Sequence, residues 1–238
     1  MKVFAHRGDS AHFAENTQSA IQSALEMAID GVEVDVQSAK DDFVIIHDSS
    51  LDRTTNGCGN VRDYTLHELA LLDAGNGQKI PSLQQLLNWN SNKSLLNLEL
   101  KHTFDLKYLA LLLESNIAKG IINPENILLS SFNHHQLAWM KNRLPWLKIG
   151  ALTSCIPLSY AQFAQDLNAY SVHVDKSFVN KAFCDDAKQR GLKIYAYTVD
   201  KKIDIERMLS LGIDGIFAND PLNAKSIITA LNSNKSLN

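Results

Sequence analysis

The residues with chemistry in them fall in four short stretches. His6-Arg7-Gly8 ends the first apolar run, Glu33 and Asp35 alternate with three valines, His47-Asp48 closes another apolar run, and Glu99 and Lys101 alternate with leucines. Glu33, Asp35 and Glu99 offer hard carboxylate oxygens without a clustered set of cysteines and histidines, which suits Mg2+ or Ca2+ better than zinc. His6 and His47 are candidates for acid and base, because imidazole titrates near neutral pH. Arg7 and Lys101 are candidates for holding a phosphate, the first as a bidentate fork and the second as a point charge. Singly, each has an ordinary reading as a solvated strand end, a half-buried sheet face or a surface salt bridge. Their meaning depends on whether one fold brings them together.

The flanking patterns point to such a fold. KVFAHRG reads as a short buried strand, and NTQSAIQSALEMAI then places Ala20, Ile21, Ala24, Leu25 and Ala28 at helical spacing. GVEVDVQ alternates strictly, so Val32, Val34 and Val36 share one face while Glu33 and Asp35 share the other. LLNLELK repeats the pattern, with Asn97, Glu99 and Lys101 opposite Leu96, Leu98 and Leu100. FVIIHD follows GVEVDVQ after a connection too short for a helical crossover, which predicts a hairpin. With Asp41 and Asp42 as the turn, His47 is expected near Val36, beside Asp35.

Residues 49 to 79 are polar and glycine-dotted, with one weak helical stretch at TLHELALLD, and are expected to form an insertion. Strands and helices then alternate to the end. Leaving out the hairpin return, eight strands are each followed by a helix, close to the roughly 250 residues of a typical (β/α)8 TIM barrel. An open doubly wound sheet is the alternative. In a barrel the strand ends meet at one mouth, the valines pack beneath helices, and the carboxylates point inward, where a cation offsets their charge. One barrel over residues 1 to 238 is expected, with the polar tail 232 to 238 frayed.

Composition narrows the function. The chain has 238 residues, 45% of them hydrophobic, which suits one large core. A net charge of -3 with scattered lysines and arginines offers no footprint for nucleic acid. The opening MKVFAHRGDS places charges before any apolar run that could act as a signal peptide, and no long apolar run follows. A soluble cytoplasmic protein without membrane insertion is expected. Cys58, Cys155 and Cys184 are widely spaced and odd in number, indicating neither a disulfide framework nor a zinc site.

In their order, these residues resemble the glycerophosphodiester phosphodiesterase family, over nearly the whole chain. His6-Arg7-Gly8 is followed by Ala14-Glu15-Asn16-Thr17, where the family carries Pro-Glu-Asn-Thr. Glu33, Asp35 and Val36, then His47-Asp48, then Leu51 and Arg53 to Gly57 continue the pattern. Ile80 to Leu83, Glu99 to Lys101, Ser130 to Phe132, Thr198-Val199 and Gly212 to Ile216 extend it.

The resemblance implies His6 and His47 as catalytic histidines, Glu33, Asp35 and Glu99 as ligands of one divalent cation, and Arg7 and Lys101 as phosphate contacts. Tyr197, where relatives carry tryptophan, is expected to line the glycerol side. Ala39 to Asp42 and Asn219-Asp220-Pro221 also depart from the usual pattern. The implied substrates are small glycerophosphodiesters, hydrolysed to glycerol 3-phosphate and an alcohol. The alternatives are a lysophospholipase D activity on lysolipids, for which apolar membrane-binding loops would be expected and are not seen in the sequence, and a non-catalytic phosphodiester-binding barrel.

Overall fold

The computed structural model describes residues 1 to 103 and 105 to 235. Eight parallel strands close into a barrel: β1 (Lys2–His6), β2 (Gly31–Ser38), β4 (Leu95–Leu100), β5 (Ile127–Ser131), β6 (Lys148–Thr153), β7 (Ser171–Asp175), β8 (Lys193–Tyr197) and β9 (Gly215–Ala218). Pairing of β1 with β2 completes the ring, so the barrel reading holds and the open sheet is excluded. β3 (Phe43–Ile45) returns antiparallel along the outer end of β2.

Helices α1 (Gln18–Glu26), α3 (Leu83–Asn90), α4 (Leu106–Ala118), α5 (His134–Arg143), α6 (Gln162–Asp166), α7 (Lys181–Gln189), α8 (Lys202–Leu211) and α9 (Pro221–Lys235) follow the eight parallel strands, with the short α2 (Leu66–Leu69) on the way to α3. The outward faces of the strands and the inner faces of the helices share one apolar layer, which takes in Val32, Val34 and Val36 and also Leu96, Leu98 and Leu100. A second cluster, Phe4, Leu128, Tyr195 and Phe217, plugs the barrel interior. The Phe4 ring sits 5.1 Å from Tyr195 and 5.2 Å from Phe217, centroid to centroid.

Caps place the helix starts where the sequence supplies them. Thr17 accepts from the Ala20 N–H to open α1, and Ser82 and Gln85 form a reciprocal capping box at α3. The α3 helix was not anticipated, although Ser-x-x-Gln before Leu83, Leu86 and Leu87 is its local signature. Segment 49 to 79 packs its own small core on β3, with Leu51, Val61 and Leu69 buried against Val44 and Ile46.

The hairpin register differs from expectation. Val36 pairs with Ile45 rather than with His47, because the loop runs from Ala39 to Asp42, closed by the Ala39 N–H donating to the Asp42 carbonyl at 2.8 Å. A shift of two residues leaves every side chain on its expected face. At the other end α9 continues through Lys235, so residues 232 to 235 of the expected frayed tail are helical, while 236 to 238 lie outside the described residues. Among the described residues no helix is long and apolar enough to cross a membrane.

Candidate active site

The mouth is built from strand ends. After β1, the chain turns through Arg7 at φ 59° and Gly8 at φ 80°. A Cβ on Gly8 would stand 2.5 Å from the carbonyl carbon of Ala20, so this glycine lets the turn lie against α1. The turn aims the Arg7 N–H at Glu33 Oε2, 3.0 Å away.

Parallel register sets the carboxylates side by side. His6 aligns with Glu33 across β1 and β2, and Asp35 aligns with Glu99 across β2 and β4. One oxygen from each of Glu33, Asp35 and Glu99 falls within 4.8 Å of the others, and all three residues are buried. Asp35 is the hub, ion-paired with Arg7 Nε at 3.2 Å and Lys101 Nζ at 3.0 Å and accepting from Asn16 Nδ2 at 2.8 Å. Lys101 also binds Glu99 directly. Glu33 Oε1 is buried with no hydrogen-bond partner.

Electrostatics follow from that crowding. Burial, reinforced by Asp35 and Glu99, pushes the Glu33 carboxyl well above the usual carboxylate range. Burial also raises Glu99, against the pull of Lys101. Asp35 is equally buried, yet Lys101 and Arg7 hold it below its ordinary value. Three carboxylates thus face two cations in a closed space, Glu33 Oε1 has neither a hydrogen bond nor an ion pair, and all the donors are hard oxygens. This set fits a divalent cation.

The two histidines have different partners. His6 Nδ1 lies 2.8 Å from Asn219 Oδ1, and Asn219 Nδ2 donates to Asp200 Oδ2 at 2.9 Å. Burial, then the charge of Arg7, pulls the His6 pKa down. His47 Nδ1 lies 2.5 Å from Asp48 Oδ1. Asp48 also accepts from Arg53 Nε at 2.5 Å, and these contacts, Arg53 foremost, hold its pKa at about 2.

His6, Arg7, Glu33, His47, Glu99, Lys101 and Tyr197 line one cavity of about 140 Å³, and Asp35 lies behind them, 0% exposed. The structure therefore gathers the residues singled out by sequence. Tyr197 joins them through its ring, since its hydroxyl donates to the Thr153 carbonyl at 3.0 Å. A wider groove of about 720 Å³ shares His47 and Lys101 and extends past Ser49, Ser50, His102 and Asn133.

Sequence reasoning gave no role to Asn219, Asp200, Glu15 or Arg53. Glu15 receives both Arg7 Nη1 at 2.9 Å and Arg53 Nη2 at 2.7 Å. Two apolar side chains on a loop at this end of the barrel also carried no sequence signal. Leu158, 105% exposed, and the less exposed Ile156 stand on the loop after β6, unpaired with the apolar periodicity that marks elements.

Fold and mouth chemistry define a (β/α)8-barrel enzyme equipped for an anionic substrate group. The sequence profile of the Glycerophosphoryl diester phosphodiesterase family matches residues 6–223, and the chain belongs to that family. It is 40% identical over 231 residues to a glycerophosphodiester phosphodiesterase of Caldanaerobacter subterraneus subsp. tengcongensis, covering 92% of this chain and 94% of that one. A glycerophosphodiester phosphodiesterase of Bacillus altitudinis is 32% identical, covering 95% and 97%. Among solved structures, a phosphodiesterase of Oleispira antarctica in complex with the product sn-glycerol-3-phosphate superposes with a TM-score of 0.87 at 30% identity, covering 96% and 97%.

Proposed function

We propose that this protein hydrolyses small glycerophosphodiesters, such as glycerophosphocholine or glycerophosphoethanolamine, to glycerol 3-phosphate and an alcohol, using one divalent cation, Mg2+ or Ca2+. The observation that carries the reading is one cavity lined by two oppositely partnered histidines beside a carboxylate triad. The absence of a long apolar helix among the described residues is compatible with action on soluble substrates in the cytoplasm.

A divalent cation held by Glu33, Asp35 and Glu99 would supply Lewis acidity at the phosphate. Arg7 and Lys101 line the same cavity and stabilise charge on the phosphoryl oxygens in the transition state. Asn219 Nδ2 donates to a carboxylate, so its Oδ1 must accept from His6 Nδ1. Neutral His6 then carries its lone pair on Nε2, as a base needs, and takes a proton from the attacking water as its oxygen bonds to phosphorus and the bond to the departing alcohol oxygen breaks. His47 is held by a carboxylate that can accompany an imidazolium, and delivers a proton to the departing alkoxide.

The test is release of glycerol 3-phosphate from glycerophosphocholine by purified protein, with Mg2+, Ca2+ or chelator. Release that depends on the added ion supports the reading. No release with either ion would overturn it.

A further inference from the structure

An unbroken line of alternating charges runs round one side of the mouth, and its middle members have no part in the catalytic roles above. Arg7 Nη1 donates to Glu15 Oε1 at 2.9 Å, and the same oxygen accepts from Arg53 Nη2 at 2.7 Å. Arg53 Nε donates to Asp48 Oδ2 at 2.5 Å, and Asp48 Oδ1 lies 2.5 Å from His47 Nδ1. The line joins the phosphate contact to the leaving-group histidine across three segments: the loop after β1, the strand end after β3 and segment 49 to 79.

Local structure puts Arg53 where it can do this. It stands on a turn between Leu51, buried in the small apolar core on β3, and Thr55, whose N–H and hydroxyl both donate to the Leu51 carbonyl, at 3.1 and 2.7 Å. The Arg53 side chain is 48% exposed, and ion pairs in such a setting add little to stability. What the guanidinium fixes is direction. Asp48 follows His47 in the chain on a short, partly exposed side chain, and alone it could turn to solvent. With Arg53 Nε on Oδ2, the plane of the carboxylate is set and Oδ1 is left for the imidazole. An imidazole that gives its Nδ1–H to that oxygen keeps Nε2 for the cavity that His47 lines.

We propose that Arg53 is a positioning residue for proton delivery by His47, orienting Asp48 and, through it, the imidazole. This rests on the phosphodiesterase reading with His47 as the acid, and adds the residue that aims it. In that step the bond from phosphorus to the head-group oxygen breaks, its electron pair goes to that oxygen, and the Nε2 proton of His47 neutralises it. The oxygen of water bonds to phosphorus, and His6 takes a proton from that water. A head group that departs as a stable anion needs no proton. Arg53 should therefore matter for a choline ester and hardly at all for a p-nitrophenyl ester, because without it Glu15 still holds Arg7 at the phosphate.

The experiment measures kcat/KM for glycerophosphocholine and for the p-nitrophenyl ester of sn-glycerol 3-phosphate, with the activating ion present, in wild type, Arg53→Met and His47→Ala. Arg53→Met should lose about tenfold or more on the choline ester and less than about threefold on the nitrophenyl ester, and His47→Ala should show the same pattern more deeply. The two esters share their glycerophosphate half, so a general loss of fold lowers both alike. Equal losses on the two esters in Arg53→Met, or no loss, would overturn the role of Arg53, while a selective loss in His47→Ala kept the acid reading. Equal losses in His47→Ala would remove the acid, and the role of Arg53 with it. A second readout needs no turnover: the nitrogen NMR spectrum of the His47 ring, identified by its absence in His47→Ala. At alkaline pH Asp48 should hold the wild-type ring in its Nδ1–H form, and Arg53→Met should shift it towards the Nε2–H form. If neither ester is cleaved, the phosphodiesterase reading fails, and the spectrum decides the positioning: a shift in Arg53→Met supports it and an unchanged spectrum overturns it.

Discussion

His6 on the first strand is held by Asn219, just past the last strand, through a 2.8 Å contact between Nδ1 and Oδ1. Asp200 fixes the amide in turn, accepting from Asn219 Nδ2 at 2.9 Å and from the Asn219 N–H at 2.7 Å. Asn219→Leu frees the imidazole to rotate or change tautomer. A fall in kcat of about ten- to a hundredfold is expected, with KM changing less. An unchanged kcat in this variant would remove Asn219 from the positioning of His6.

Direct loss of either imidazole should cost more. His6→Ala and His47→Ala are each expected to lower kcat by about 10²–10⁴-fold with the fold intact, judged by circular dichroism. Whichever variant kept near wild-type turnover would take that histidine out of the mechanism.

Cation binding should weaken on acidification. Burial and the neighbouring carboxylates raise Glu33, and burial raises Glu99, so protons compete for these groups at a higher pH than for ordinary carboxylates. Calorimetric titration of Mg2+ and Ca2+ across pH 5 to 8, together with Glu33→Gln, measures this. Affinity that ignored both pH and the substitution would dissociate Glu33 from the cation. Chelation should abolish turnover and ion addition restore it.

His173 imposes an acid limit on stability. Its folded pKa of about 3 lies below the ordinary 6.5, so below pH 6.5 the unfolded chain takes up a proton that the folded one refuses. Its contribution is flat above 6.5 and turns unfavourable as the pH falls towards 3, with a slope of at most about 1.4 kcal/mol per pH unit. Urea denaturation of His173→Phe between pH 7 and 4 should show a shallower dependence than wild type. Parallel curves would mean that His173 is not the group responsible.

The apolar Leu158 near the mouth makes the substrate comparison informative. Glycerophosphocholine is expected to exceed lysophosphatidylcholine in kcat/KM, and Leu158→Ser should leave the former unchanged. A tenfold preference for the lysolipid, lost in Leu158→Ser, would turn the assignment towards a lysophospholipase D.

Alternation was what made the site readable. In β2 and β4, valines and leucines mark the helix-covered face, so the sequence alone places Glu33, Asp35 and Glu99 inward. The expected hairpin is present, and its register, displaced by two residues, still keeps His47 on the expected face, since the period of a strand is two. Contacts without local pattern stayed hidden. His6 and Asn219 are 213 positions apart, and nothing near either residue announces the other. Asn97 could be read as inward, but its lack of a partner depends on β5 and β7 and exists only in three dimensions.

Arg53, carried by the insertion, binds both Glu15 and Asp48. One guanidinium therefore ties the rim of the mouth to the first loop and to the support of His47. The insertion thus works as a brace seated on its own apolar core against β3 and pinned at the mouth by Arg53, so that the rim and the support of His47 hold or shift together.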